Sequence, residues 1–225
     1  MRTIAIGDIH GCSSSLRGLI DYAGISEEDT VVTLGDYVDR GPDTRGVIDT
    51  ILELRERTRV VSLMGNHEIM MLEARESAPA LARWMGEGVG GNSTVASYGG
   101  ESLQAIPGQH WEFIEGGLPF HESESHFFVH ANAASHLALE DQDPFMLFWE
   151  KFRKVPAHRS GKIMVCGHTA QKSGVPANLG HAICIDTRAY AGQWLTALDV
   201  ESGTYWQCNE EGERRSNNIS LHFNA

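Results

Sequence analysis

The stretch Val31-Val32-Thr33-Leu34-Gly35-Asp36-Tyr37-Val38-Asp39-Arg40-Gly41 decides the fold. Its apolar and β-branched start reads as a short strand, which Gly-Asp ends with a turn and a carboxylate. The same grammar stands on either side of it. Ile4-Ala5-Ile6 runs into Gly7-Asp8-Ile9-His10-Gly11, and Val60-Val61-Ser62-Leu63-Met64 runs into Gly65-Asn66-His67-Glu68. Between these strands Leu16, Leu19, Ile20 and Ala23, and then Val47, Ile48, Ile51, Leu52 and Leu54, recur at helical spacing. Such alternation predicts an α/β architecture with a largely parallel sheet. Ligands of such sheets gather beyond the carboxyl ends of the strands, where the polar groups of these motifs stand.

Further along, residues 69–85 read as helix, and residues 86–100, with six glycines, read as a flexible loop. Three more strands end in polar groups: Phe127-Phe128-Val129 at His130, Lys162-Ile163-Met164-Val165-Cys166 at Gly167-His168, and Ala182-Ile183-Cys184-Ile185 at Asp186. Residues 145–152 read as an amphipathic helix, and the tail after Gly203 is polar, without a low-complexity tract.

The 225 residues, 41% of them hydrophobic, suffice for one sizeable core, so one domain spanning 1–225 is expected. A formal net charge of -12 argues against nucleic acid or an anionic membrane as a partner, since both recruit clustered Lys and Arg. The N-terminus lacks the apolar run of a signal peptide, and no stretch has the length of a membrane span. Cys12, Cys166, Cys184 and Cys208 show no CxxC pair, which points to unbridged thiols and a cytoplasmic protein.

Asp8, His10, Asp36, Asn66, His67, His130 and His168, gathered from the strand ends, mix carboxylate, amide oxygen and imidazole with no thiol. Singly, each has a structural reading: a strand-end Asp caps the next helix, and a lone His is an ordinary polar group. Five strands ending alike point instead to a metal site, and mixed N/O ligation suits manganese, iron or zinc. Gly7, Gly11, Gly35, Gly41 and Gly65 are turn residues that let the backbone approach it.

Gly7-Asp8-Ile9-His10-Gly11, Gly35-Asp36-Tyr37-Val38-Asp39-Arg40-Gly41 and Gly65-Asn66-His67-Glu68, in that order, resemble the three signature motifs of the phosphoprotein phosphatase family within the calcineurin-like metallophosphoesterases. Val129-His130-Ala131-Asn132 and Gly167-His168-Thr169 are similar to its later histidine motifs, and the short chain with residues 84–100 looks closest to the compact bacterial and bacteriophage lambda-type serine/threonine phosphatases. The resemblance implies two mixed β-sheets in a sandwich flanked by helices, rather than the single sheet of the local pattern. It also implies two divalent metal ions, manganese first with iron or zinc as alternatives. Asp8, His10 and Asp36 would hold one ion, and Asp36, Asn66, His130 and His168 the other, with Asp36 as the bridge.

Two cations sharing a carboxylate can polarise a phosphoryl oxygen and activate a bridging water for direct attack. His67 is then the expected general acid for the leaving alkoxide, Asp39 its charged support, and Arg40 the fork that grips the phosphate. The expected substrate is a phosphorylated protein or peptide, or a small phosphomonoester. A symmetrical dinucleoside polyphosphate hydrolase is the nearest alternative, and a non-catalytic phosphate-binding domain the alternative outside enzymes. Glu68 and the full Asp39-Arg40-Gly41 favour the phosphatase branch. One departure stands out: Met64 occupies the position where the family usually has Arg. Arg153 or Arg159 stands for the family's later phosphate-gripping arginine, while Arg188, after Ile185-Asp186-Thr187 where the family commonly has Gly, reads as a surface residue with compensation for Met64 as the alternative.

Overall fold

The computed structural model describes residues 2–100 and 102–219. It opens as β1 (Thr3–Ile6), α1 (Ser13–Ala23), β2 (Thr30–Thr33), α2 (Thr44–Arg55), β3 (Arg59–Ser62) and α3 (Asn66–Glu76). Three helices follow, α4 (Ala78–Trp84), α5 (Gly91–Ser97) and α6 (Gly108–Glu115), and then β4 (Phe120–Glu122), β5 (His126–Val129) and α7 (Pro144–Phe148). The remaining strands are β6 (Ile163–Cys166), β7 (Ala177–Asn178), β8 (Ala182–Cys184), β9 (Leu195–Asp199), β10 (Thr204–Cys208) and β11 (Arg214–Asn218).

The strands form two sheets, ordered β11-β10-β9-β1-β2-β3 and β4-β5-β6-β8-β7. β1, β2 and β3 pair in parallel, as do β5, β6 and β8, while the remaining pairings are antiparallel. The single parallel sheet of the local pattern is therefore corrected to two mixed sheets. Local alternation fixes the parallel half of each sheet but says nothing of where the antiparallel strands add.

Alternation inside each short apolar run builds the layers. Ala5, Val32 and Leu34 meet Phe128, Val165, Ile183 and Ile185 between the sheets. Ile4, Ile6 and Val31 turn the other way, against Leu16, Leu19, Val47, Ile48 and Ile51 of the first helices. Phe127, Val129, Met164 and Cys184 likewise face Leu139, Leu147 and Val155. Strands covered on both faces read as unbroken apolar runs, which is why the sequence showed them so plainly. Among the described residues no helix is long and apolar enough to cross a membrane.

Three local expectations change. Residues 69–85 hold two helices, broken where Ser77 turns extended and caps α4 through Ala80 N–H. Residues 86–100 contain α5 rather than only a loop. The helix expected over 145–152 ends at Phe148, and Phe152 N–H bonds instead to Thr169 Oγ1 beside His168.

Candidate functional site

The carboxyl ends of the two parallel strand sets meet. The loop after β1 brings Asp8 and His10, that after β2 brings Asp36, Asp39 and Arg40, and the first turn of α3 brings Asn66 and His67; His130 follows β5, His168 follows β6 and Asp186 follows β8. His10, Asp36, Asp39, Arg40, His168 and Arg188 are the non-glycine residues with positive φ among those described. Backbone strain is thus concentrated in the site loops, where the surrounding fold must impose it.

Carbonyl partners fix the imidazoles. Nδ1 of His10 lies 2.9 Å from Val38 O, Nδ1 of His130 2.8 Å from Leu34 O, and Nε2 of His168 3.0 Å from Trp149 O. A carbonyl only accepts, so each of these nitrogens carries the proton and the other nitrogen of a neutral ring presents a lone pair. Those lone pairs converge. His130 Nε2 and His168 Nδ1 stand 3.0 and 2.8 Å from the same Asn66 Oδ1, and His130 Nε2 is 3.4 Å from Asp36 Oδ1. On the other side His10 Nε2 is 3.4 Å from Asp36 Oδ2. At His130, His168 and Asn66 the acceptors cluster with no proton between them, which fits a cation. Donor atoms of Asp36, His130 and His168 lie within 4.8 Å of one another, as do those of His10, Asp36 and His67, so Asp36 belongs to both groups.

Charge makes the same demand. Asp8, Asp36 and Asp186 are all buried. Burial, Asp186 and Asp36 push the Asp8 carboxyl well above its usual range, and burial likewise lifts Asp186 to about 6. Burial opposes ionisation of Asp36 too, yet His130, His67 and His10 hold it well below the usual carboxylate range. Asp8 stands one step back from the two donor groups, with both oxygens receiving the His168 backbone N–H at 3.1 and 2.9 Å.

His67 faces the cluster, its Nε2 4.0 Å from Asp36 Oδ2, and its Nδ1 is 2.7 Å from Asp39 Oδ2. Asp39 is fully buried and multiply held: Trp84 Nε1 donates to Oδ2 at 3.0 Å and Thr94 Oγ1 to Oδ1 at 2.8 Å. Burial disfavours a charged His67, but Asp36 and Asp39 outweigh it and raise the ring above its ordinary value. Arg40 reaches His10 Nε2 at 2.8 Å and lies 4.6 Å over the Tyr190 ring.

Asp36, Arg40, Asn66, His67, Trp149, Lys151 and His168 line a cleft of about 210 Å³. A larger apolar cleft of about 420 Å³, between α3, α4, α5 and α6, shares no residue with it. Of the arginines proposed from sequence, Arg153 is exposed, Arg159 donates to His136 O, and Arg188 is half-buried with its backbone N–H on Asp186; none lines the cleft. Met64 does not line it either.

The structure adds residues to which the sequence assigned no place in the site, and gives Glu68 a structural role. Lys151 and Trp149 lie in the segment read as helix. Trp84 precedes the segment read as a loop and Thr94 lies within it. Asp186 was visible only as a strand end. Glu68 is fully buried, and its carboxylate accepts N–H groups of Gly65, Asp36, Tyr37 and Val38, tying two signature loops together. Its place three residues into the α3 motif was the available signal.

The calcineurin-like phosphoesterase family matches residues 1–200. Among curated proteins the chain is 40% identical over 74 residues to serine/threonine-protein phosphatase 1 of Salmonella typhimurium, covering 32% of each chain. It is also 40% identical over 73 residues to a symmetrical bis(5'-nucleosyl)-tetraphosphatase of Edwardsiella ictaluri, covering 32% of this chain and 25% of that protein. These matches thus span a quarter to a third of the relatives' length. A solved putative diadenosine tetraphosphatase superposes with TM-score 0.68 at 21% identity, over 100% of this chain and 95% of that one. A Saccharomyces cerevisiae serine/threonine phosphatase superposes with TM-score 0.60 at 14% identity, over 100% and 82%. At these identities both speak for the fold alone.

Proposed function

The chain belongs to the calcineurin-like phosphoesterases, and from that premise we propose that it is a two-metal phosphomonoester hydrolase acting on phosphorylated serine or threonine of proteins. The observation that carries this reading is Asp36, whose two oxygens face two imidazole groups while the His67–Asp39 pair stands beside them. Asp8, His10 and Asp36 would hold one divalent ion, and Asp36, Asn66, His130 and His168 the other. The thiol-free N/O donor set fits manganese first, with iron or zinc as alternatives. When bound, such a pair would polarise a phosphoryl oxygen and lower the pKa of a coordinated water.

The chain's own residues do the rest. Asp39 keeps the His67 ring oriented, with Nδ1 engaged and Nε2 turned to the cleft, so the proton for the leaving oxygen comes from Nε2. Trp84 and Thr94 keep Asp39 from turning. Arg40 and Lys151 supply the positive charge on the cleft wall, and we assign to them the grip on the phosphate oxygens. Four free buried cysteines support a reducing, cytoplasmic setting.

The protein-phosphatase branch is supported by Glu68 and by the Salmonella relative's name. The second reading, a symmetrical dinucleoside tetraphosphate hydrolase, is supported by relatives of equal identity bearing that name. One manganese-loaded preparation assayed on a phosphothreonine peptide, p-nitrophenyl phosphate and diadenosine tetraphosphate separates them. We expect the peptide to give the highest kcat/KM. A preference for the dinucleotide by tenfold or more, about 1.4 kcal/mol, would replace the first reading with the second.

A further inference from the structure

The segment that leaves the cleft wall is basic. Against a chain-wide charge of -12, residues 151–154 read Lys-Phe-Arg-Lys, and Lys151, Arg153 and Lys154 are all exposed. Among the described residues none of the three takes part in an ion pair, whereas Arg2, Arg45, Arg75 and Lys162 each pair with a carboxylate. Lys151 lines the cleft, and its Nζ lies 3.4 Å from His168 O. Since a residue spans at most about 3.6 Å, the Lys154 Cα stands within about 11 Å of that of Lys151. The two outer cations therefore lie outside the cleft but within that reach of a residue that lines it.

Next to this strip lies an apolar one. Phe145 is 58% exposed and Trp149 36%, and the Trp149 N–H bonds back to Phe145 O at 2.9 Å, one helical turn away. Residues four apart on a turn share a face. Trp149 lines the cleft itself, so exposed aromatic surface runs outward from the cleft along the turn that precedes the basic run. Glu150, half-buried, is the one acid between the two strips.

We infer that this rim is a docking track for the peptide flanking the phosphorylated residue. Phe145 and Trp149 take an apolar side chain adjacent to the phosphoresidue, and Arg153 and Lys154 take carboxylates beyond it. Charge complementarity identifies the occupant: unpaired cations on a strongly acidic protein select an acidic segment and repel a basic one. This inference rests on the protein-phosphatase reading above.

Three phosphothreonine peptides with glutamate, serine or lysine flanks, compared on the metal-loaded enzyme at low and high salt, test it. The Arg153→Glu/Lys154→Glu double variant and Phe145→Ser serve as probes, with p-nitrophenyl phosphate as the reference for basal activity. The expected result is a kcat/KM about fivefold higher for the acidic than for the serine-flanked peptide at low salt, carried by KM and shrinking with salt, which is what two exposed ion pairs contribute. The double variant should reverse that order, and Phe145→Ser should raise KM for all three peptides, while both keep wild-type turnover of the aryl phosphate. Equal kcat/KM for the three peptides, or an acidic preference that survives the double variant, overturns the docking track and leaves the phosphatase reading standing. Hydrolysis of the aryl phosphate with none of any peptide overturns that reading, and the track with it.

Discussion

At the scale of single residues, His67 carries the sharpest prediction. Its Nδ1 is bound to Asp39 and its Nε2 faces the cleft, so His67→Asn should keep the metal ligands intact while removing the proton donor. Turnover of an alkyl phosphate should fall by roughly 100-fold or more, the scale of a positioned general acid, with a smaller loss on an aryl phosphate whose leaving group needs less protonation. Equal losses on both would mean that His67 orients the site without donating. Phosphate grip is a separate matter. Because Met64 replaces the usual Arg, Arg40→Ala should cost about 2 kcal/mol or more in kcat/KM, and Lys151→Ala a smaller part of it. Arg188 lies off the cleft, so Arg188→Ala should stay within error and Met64→Arg should rescue nothing in that background. A loss at Arg188 matching that at Arg40 would restore the compensation idea that its position in sequence suggested.

At the scale of elements, Glu68 joins the start of α3 to the loop after β2. Its buried oxygens accept four backbone N–H groups, an arrangement suited to the carboxylate, although burial beside Asp36 pushes the carboxyl up to about 8. Glu68→Gln turns an amide donor towards those donors and should lower unfolding free energy by about 1–3 kcal/mol, readable in urea titration. An unchanged midpoint would show that the two loops hold together without it. The strand-end motifs were legible because each lies on a locally regular strand and turn. Residues 86–100 read as a loop because a high glycine count signals freedom in sequence, whereas the fold uses Gly90 and Gly91 for close packing. Gly90 holds φ 98° against the Arg40 backbone, and a Cβ on Gly91 would sit 2.3 Å from the Trp84 indole, so these glycines permit close packing of α5 behind Asp39. Lys151 was missed because its side chain reaches the cleft only after α7 stops short, a boundary set by tertiary contacts with Thr169. The last strand was illegible for another reason: β11 is an exposed polar edge, which natural sheets keep polar.

At the scale of the whole molecule, the fold brings charge inside and must accommodate titration there. His126, buried at the start of β5, has no hydrogen-bond partner for Nε2 among the described residues, and burial pushes its ring down to about 4. The folded pKa lies below the unfolded value, so the neutral ring's contribution is complete above about pH 6.5 and is lost as pH falls through about 4. Wild-type stability should therefore drop more steeply than that of His126→Phe between pH 7 and 4, by on the order of 2 kcal/mol. Parallel acid limbs in the two proteins would remove His126 from the account. The central claim is the shared role of Asp36, and its direct test is metal content measured alongside turnover of p-nitrophenyl phosphate in wild type and Asp36→Asn. The account predicts two manganese ions per wild-type chain, activity abolished by chelation and restored by the metal, and loss of both stoichiometry and turnover in Asp36→Asn. Two ions retained with wild-type turnover in Asp36→Asn, or full activity in the chelated wild type, would contradict it.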